Sequence, residues 1–168
     1  SKLIAFHAHS TERDVEKILA KLRAEKSVAL ISEAGTPGIS DPGFALVRAA
    51  VAAGIEIVPI PGACAAIAAL SASGLRMDKF VFVGFLPLKK GRQKMIESLR
   101  DESRTTIFYE SPHRIAKTIA QFAEILGENR GVVLAREITK LHEEFFRGDL
   151  SAAREFLASK PIRGEFTI

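Results

Sequence analysis

Along the chain, short apolar or β-branched runs alternate with stretches whose apolar positions recur at helical spacing and which close at Gly or Pro. That alternation is the βαβ signature of a mostly parallel sheet. Residues 2–6 are the first strand candidate. A helix signal follows at Thr11, where Thr-Glu-Arg-Asp suits a capping box and Val15, Ile18, Leu19 and Leu22 fall on one face. Residues 27–32 make a second strand candidate. Asp41-Pro42 reads as the N-cap and first position of a helix reaching Ala53, with Gly54 as its left-handed stop. A third strand is expected over 55–60. Pro-Ile-Pro-Gly at 59–62 then breaks the chain before an Ala-rich helical segment, 63–73, closed by Gly74.

Residues 75–79 form the most plausible link between domains, because a new strand, 80–86, begins after them. The pattern predicts helices over 92–101, 112–126 and 151–158, and strands over 105–109, 132–135, 144–150 and 166–168. Two α/β domains are expected, over 1–76 and 77–168. The chain opens without Met and stops in what reads as mid-strand, so a fragment lacking both natural ends is expected.

Composition changes this picture little. Of 168 residues, 47% are hydrophobic and 26% charged, which is ordinary for a soluble globular protein. No run approaches the roughly 20 apolar residues of a membrane-spanning helix, and the start lacks the basic and apolar regions of a signal peptide. A cytoplasmic protein is the expectation. The single cysteine, Cys64, excludes an internal disulfide framework and a Cys-based zinc site. The net charge of +4 is small, but part of it gathers in Lys89, Lys90, Arg92 and Lys94. That run suits phosphate contact, or the solvated start of a helix.

Four segments can carry chemistry. The loop 32–43 follows a strand candidate and packs three Gly, two Pro and two acids before a helix, more than a simple connection of about 2–6 residues needs. It is neither a G-x-G-x-x-G fingerprint nor a phosphate loop of the G-x-x-x-x-G-K-[ST] type. Residues 61–66 form a second strand-to-helix turn, whose amides suit a carboxylate or ribose. Phe108-Tyr109-Glu110-Ser111-Pro112-His113-Arg114 brings a Glu, a His and an Arg to the end of a strand, and 135–140 is a similar polar cluster. Each also has a purely structural reading, as an acid in a first helical turn or charges solvated at a loop. His7 and His9 have no further Cys or His spaced to complete a metal site, so none is expected.

In order and spacing, SEAGTPGISDPG (32–43), PIPGACAAIAALSASGL (59–75), FVGFLP (82–87), IFYESPHR (107–114), AREITK (135–140) and GEFTI (164–168) resemble the bacterial small-subunit ribosomal RNA 2′-O-methyltransferases, a branch of the tetrapyrrole methylase superfamily. The likeness covers essentially the whole chain, and its first and fourth motifs are specific to that branch. It implies a tetrapyrrole methylase-like fold of two α/β domains with S-adenosyl-L-methionine in the cleft between them, a homodimer, and methylation of a cytidine ribose in 16S rRNA of the small ribosomal subunit. Carried over by position, Glu33, Ala34, Gly35, Thr36, Pro37, Gly38, Ala65 and Ala66 line the cofactor, and Tyr109, Glu110, Ala135, Arg136 and Gly164 complete its pocket. Family members begin with a strand and a Pro-Ile-Gly-Asn-Leu-type turn that contribute to that pocket. This chain starts downstream of them, so weak cofactor binding is expected of it.

Methyl transfer is a displacement that needs alignment and no metal, and a 2′-hydroxyl gains from a base that takes its proton. Glu110 is the first expectation for that base and His113 the second. Lys89, Lys90, Arg92 and Arg114 are expected on RNA phosphate, with Arg136 beside them. Two alternatives stay open: a methylase of a tetrapyrrole or a modified protein residue on the same fold, and a non-catalytic ribosome-binding module.

Overall fold

Thr11 and Asp14 start the first helix as their spacing predicts. In the computed structural model, which describes residues 2–168, the Thr11 backbone N–H and hydroxyl both donate to Asp14 Oδ2, at 3.0 and 2.9 Å. Helix α1 (Glu12–Arg23) turns Val15, Ile18 and Leu19 onto Leu46 and Ala50 of α2 (Phe44–Ala52). Helix α2 starts later than Asp41-Pro42 predicts. The chain first turns at Gly43 (φ +153°), where a Cβ would sit 3.1 Å from Leu30 Cδ2 and 3.3 Å from the Gly38 backbone.

The strands expected at 2–6, 27–32 and 55–60 do not form: these residues carry no sheet pairing. Leu3, Ile31, Val58 and Ile60 remain exposed. A β-branched run sets a local preference for extended backbone, but a strand also needs a neighbour to take its N–H and C=O groups. None of the described residues of this unit supplies one.

The chain divides into two compact units, one ending at Cys64 and the other spanning Ala65–Ile168. The division falls ahead of the link expected at 75–79, because the Ala-rich helix α3 (Ala65–Ser73) packs on the sheet of the second unit. That sheet has the order β1-β2-β5-β3-β4, built from β1 (Phe80–Phe85), β2 (Thr105–Glu110), β3 (Gly131–Arg136), β4 (Glu144–Asp149) and β5 (Phe166–Thr167). Strand β1 is parallel to β2, and β5 is antiparallel to both β2 and β3. Strands β1, β2 and β3 therefore run the same way and end at one edge. In an open α/β sheet, ligands bind beyond that carboxyl edge.

Helices α4 (Arg92–Glu97), α5 (Ile115–Leu126) and α6 (Leu150–Ala158) bury Ile96, Ile115, Ile119, Phe122, Leu150 and Leu157 against Phe108, Val132, Leu134 and Phe166. Ile96, Ile115 and Ile119 are fully buried, and each such side chain stabilises the fold by roughly 1.5–3 kcal/mol. The Asp149 carboxylate accepts from the Ala152 amide (2.8 Å), which starts α6 directly after β4.

Successive strand side chains alternate between faces, and the register sets Tyr109 and Ala135 level with Thr167 between them. Helix α3 lies on that face. Its Ala66 N–H donates to the Tyr109 hydroxyl (3.1 Å), and the Arg147 guanidinium donates to the Ala72 and Ser73 carbonyls at its far end (2.6 and 3.3 Å). Glu110, Phe166 and Arg136 are level on the opposite face.

Candidate active site

At the carboxyl edge, strand β1 carries a bulge: its register with β2 shifts between Phe82 and Gly84, and Gly84 adopts φ +72°. One extra residue reverses the alternation that follows it. Phe82 and Phe85, which a regular strand would point to opposite faces, both reach the Tyr109 ring, at centroid distances of 5.1 and 5.6 Å. Phe85 is 54% exposed, so the cluster opens to the surface. Both phenylalanines lie in the FVGFLP motif, but its spacing does not say that they meet one ring; Gly84 between them is the signal for the bulge.

Glu110 ends β2 on the other face and is 1% exposed. Its Oε1 accepts from the Ser111 amide (2.9 Å) and lies 2.7 Å from Arg114 Nε. Its Oε2 accepts from Arg114 Nη2 (2.9 Å) and from the Thr118 hydroxyl (2.7 Å), with Arg92 Nη1 at 3.9 Å. Arg92 donates to the Thr118 hydroxyl (2.6 Å), Gln121 Oε1 (2.8 Å) and the Pro87 carbonyl (3.3 Å), and Arg114 Nη2 also meets the Leu86 carbonyl (3.0 Å). Burial pulls the Arg92 pKa below its ordinary value, opposed by Glu110 and reinforced by the positive charge of Arg114.

This geometry bears on three of the expected roles. Glu110 sits in a buried ion-pair cluster with both carboxylate oxygens engaged by the chain's own donors. Arg92 and Arg114 turn inward to it and are not displayed to a phosphate. The partners Thr118 and Gln121 were not singled out from sequence, since a polar residue at a core position of a helix looks like any other surface choice until its neighbour is known.

The other candidates fall into two groups. His113 is exposed just beyond Glu110, and Lys89 and Lys90 are exposed in the turn after β1. Ala135 and Arg136 end β3 at the same edge, but Ala135 is buried and Arg136 is tied to the Arg163 carbonyl (2.6 Å) and to Glu144 (3.3 Å). Gly164 precedes β5 with φ +78°, and a Cβ there would lie 2.3 Å from Glu137 Cγ. Its requirement for glycine therefore comes from within the chain. In the first unit, residues 33–38 form a turn in which Gly35 and Gly38 take positive φ (+72° and +83°), and the Thr36 hydroxyl donates to the Ala63 carbonyl (3.0 Å). The His9 amide donates to His7 Nδ1 (3.2 Å), and among the described residues no His, Cys, Asp and Glu group has metal-site geometry.

A cavity of about 440 Å³ lies elsewhere in the second unit. Thr106, Phe108, Val132, Val133 and Ile168 line it, and no candidate residue does. For S-adenosylmethionine, each unit taken by itself holds groups of suitable chemistry: backbone bare of large side chains at Gly35 and Gly38 in the turn of the first, and the Tyr109 ring at the carboxyl edge of the second.

The family profile of Tetrapyrrole (Corrin/Porphyrin) Methylases matches residues 5–154. The crystal structure of the methyltransferase CobJ aligns with a TM-score of 0.66 at 22% identity, covering 92% of this chain and 69% of its own. The chain belongs to the tetrapyrrole (corrin/porphyrin) methylases, as its motifs led us to expect. Within that class its relatives include proteins named ribosomal RNA small subunit methyltransferase I. The one from Synechocystis is 48% identical over 98% of this chain and 60% of its own length. Those from Escherichia coli O157:H7 and Thermotoga maritima are 51% and 42% identical over 85% and 99% of this chain, and over 50% and 74% of their own lengths. The chain thus spans 60% and 50% of the lengths of the first two relatives. Among the described residues no helix is long and apolar enough to cross a membrane.

Proposed function

We propose that this protein transfers the methyl group of S-adenosyl-L-methionine to RNA of the small ribosomal subunit, at the ribose 2′-hydroxyl of a cytidine in 16S rRNA. The observation that carries the reading is 48% identity, across 98% of the chain, to a protein named for methylation of small-subunit ribosomal RNA. The motif resemblance narrows it to the 2′-hydroxyl and extends it to a homodimer. When bound, the cofactor supplies an electrophilic methyl group on a sulfonium. The chain's own residues align the partners. The 33–38 turn and Ala65 offer backbone groups to the cofactor, and Ala66 lines it with its amide held by the Tyr109 hydroxyl, which fixes the first turn of α3. Exposed Lys89 and Lys90 meet RNA phosphates without reading sequence. His113, exposed at the same edge, takes the proton of the ribose hydroxyl, the task that burial denies to Glu110.

The test offers full-length enzyme methyl-labelled cofactor with small ribosomal subunits, a tetrapyrrole, or ribosomal protein alone. Label in the RNA is expected. Label only in the tetrapyrrole or the protein assigns the activity to another branch of the fold, and RNA binding indifferent to the cofactor favours a non-catalytic module. His113→Ala is expected to lower turnover about 10²-fold with cofactor affinity unchanged. Full turnover in that variant removes His113 from the mechanism.

A further inference from the structure

The exposed turn after β1 is clamped at both of its ends by one buried cluster. Where the chain leaves β1, the Leu86 carbonyl accepts from Arg114 and the Pro87 carbonyl from Arg92. Five residues after Pro87 the chain enters α4 at Arg92 itself, after Gly91 in the left-handed region (φ +83°), and the Arg92 amide returns to the Lys89 carbonyl (3.2 Å). Between these anchors Leu88, Lys89, Lys90 and Gly91 are all exposed. The anchors share a keystone. Thr118 of α5 is 0% exposed, and its hydroxyl lies 2.6 Å from Arg92 Nη2 and 2.7 Å from Glu110 Oε2. A guanidinium only donates and a carboxylate only accepts, so the hydroxyl proton points at Glu110 and its lone pair at Arg92.

Resting on the reading of this protein as an enzyme of ribosomal RNA, we infer that Glu110, Arg114, Thr118 and Arg92 are positioning residues that hold the 87–91 turn in one conformation, so that Lys89 and Lys90 present their ammonium groups to adjacent phosphates of a folded RNA. Two guanidiniums share one carboxylate, and a cluster of that kind is a poor way to add stability, since well-packed apolar residues of similar volume do as well. Apolar residues cannot hold the Leu86 and Pro87 carbonyls. Two lysines on a loose turn would lose rotational freedom on binding, and a turn already fixed reduces that loss.

Thr118→Val removes the keystone hydroxyl at nearly constant volume, and Thr118→Ser restores it. Binding of small-subunit RNA is measured for the full-length protein, for Thr118→Val, for Lys89→Ala/Lys90→Ala and for the triple variant, with amide hydrogen exchange of 86–92 in parallel. Thr118→Val is expected to weaken RNA binding about three- to tenfold, to speed exchange in the turn and to be rescued by Thr118→Ser. The triple variant is expected to bind no more weakly than the lysine pair variant, because the clamp acts only through the lysines. Additive losses in the triple variant, unchanged affinity and exchange in Thr118→Val, or a lysine pair variant that binds as wild type would each overturn the inference. A wild-type protein without affinity for the RNA refutes the functional reading instead, and the exchange rates then report separately whether the clamp exists.

Discussion

Gly164→Ala separates a structural glycine from a ligand-lining one. Two effects add at this position. An L side chain in the left-handed region costs about 1–2 kcal/mol, and Gly164 has φ +78°. A Cβ 2.3 Å from Glu137 Cγ also drives the Glu137 side chain away. That carboxylate accepts from the Glu165 amide and from Lys140 Nζ, both at 2.9 Å, and losing a hydrogen bond to a charged group costs about 1.5–3 kcal/mol, while the exposed ion pair adds little. Together the substitution is expected to cost about 2.5–5 kcal/mol. With an unfolding entropy near 2.1 cal/mol/K per residue, a chain of 168 residues should lose about 7–14 °C in Tm. Circular dichroism melts of wild type, Gly164→Ala, Glu137→Ala and the double variant supply the check. In the double variant only the backbone penalty should remain beyond the cost of Glu137→Ala, so the two changes are less than additive. Full additivity refutes the contact with Glu137. An unchanged Tm with weakened cofactor binding would refute the structural reading and return Gly164 to the pocket wall.

The remaining predictions concern charge. Glu110→Gln leaves two largely buried guanidiniums without their anion, and scanning calorimetry should show a loss of about 3–5 kcal/mol, partly recovered by adding Arg114→Met; a stable Glu110→Gln protein without methyl transfer would restore Glu110 as the base. Replacing Lys89 and Lys90 with Ala should reduce the slope of log affinity against log salt by about one per lysine, and an unchanged slope returns them to the solvated surface. The Glu144 carboxyl is held below its ordinary value of 4.5, first by its hydrogen bond with Lys160 and then by Arg136. Its stabilisation is therefore present above that pH and is lost as the pH falls through the lowered value. Melts between about pH 6 and 3 should fall less steeply for Glu144→Gln than for wild type, and parallel profiles would contradict this.

Where local signals were sufficient, the chain could be read directly. Thr11 and Asp14 mark the start of α1, Gly54 and Gly74 follow α2 and α3, and the regular elements of the second unit lie near where hydrophobic period and turn residues place them, except that α4 stops at Glu97, short of the expected Asp101, and α5 begins at Ile115, after the expected Pro112. The carboxyl edge was legible too, since Tyr109, Glu110, Ala135 and Arg136 each end a strand. What sequence does not carry is partnership. Nothing in the spacing of Arg92, Arg114, Thr118 and Gln121 says that they converge, because the contact depends on how α4 and α5 pack on β2. An Arg at a helix start reads alike whether it turns to solvent or to a buried acid. The strands expected at 27–32 and 55–60 failed for the same reason: the propensity was local and the pairing was not.

The central claim is methylation of a ribose hydroxyl. The most direct measurement incubates full-length enzyme and methyl-labelled S-adenosylmethionine with unmodified small subunits, recovers the RNA and digests it with alkali, which cleaves only beside a free 2′-hydroxyl. The account predicts label in a single alkali-resistant dinucleotide containing cytidine. Label recovered wholly in mononucleotides would place the methyl group on a base and contradict it.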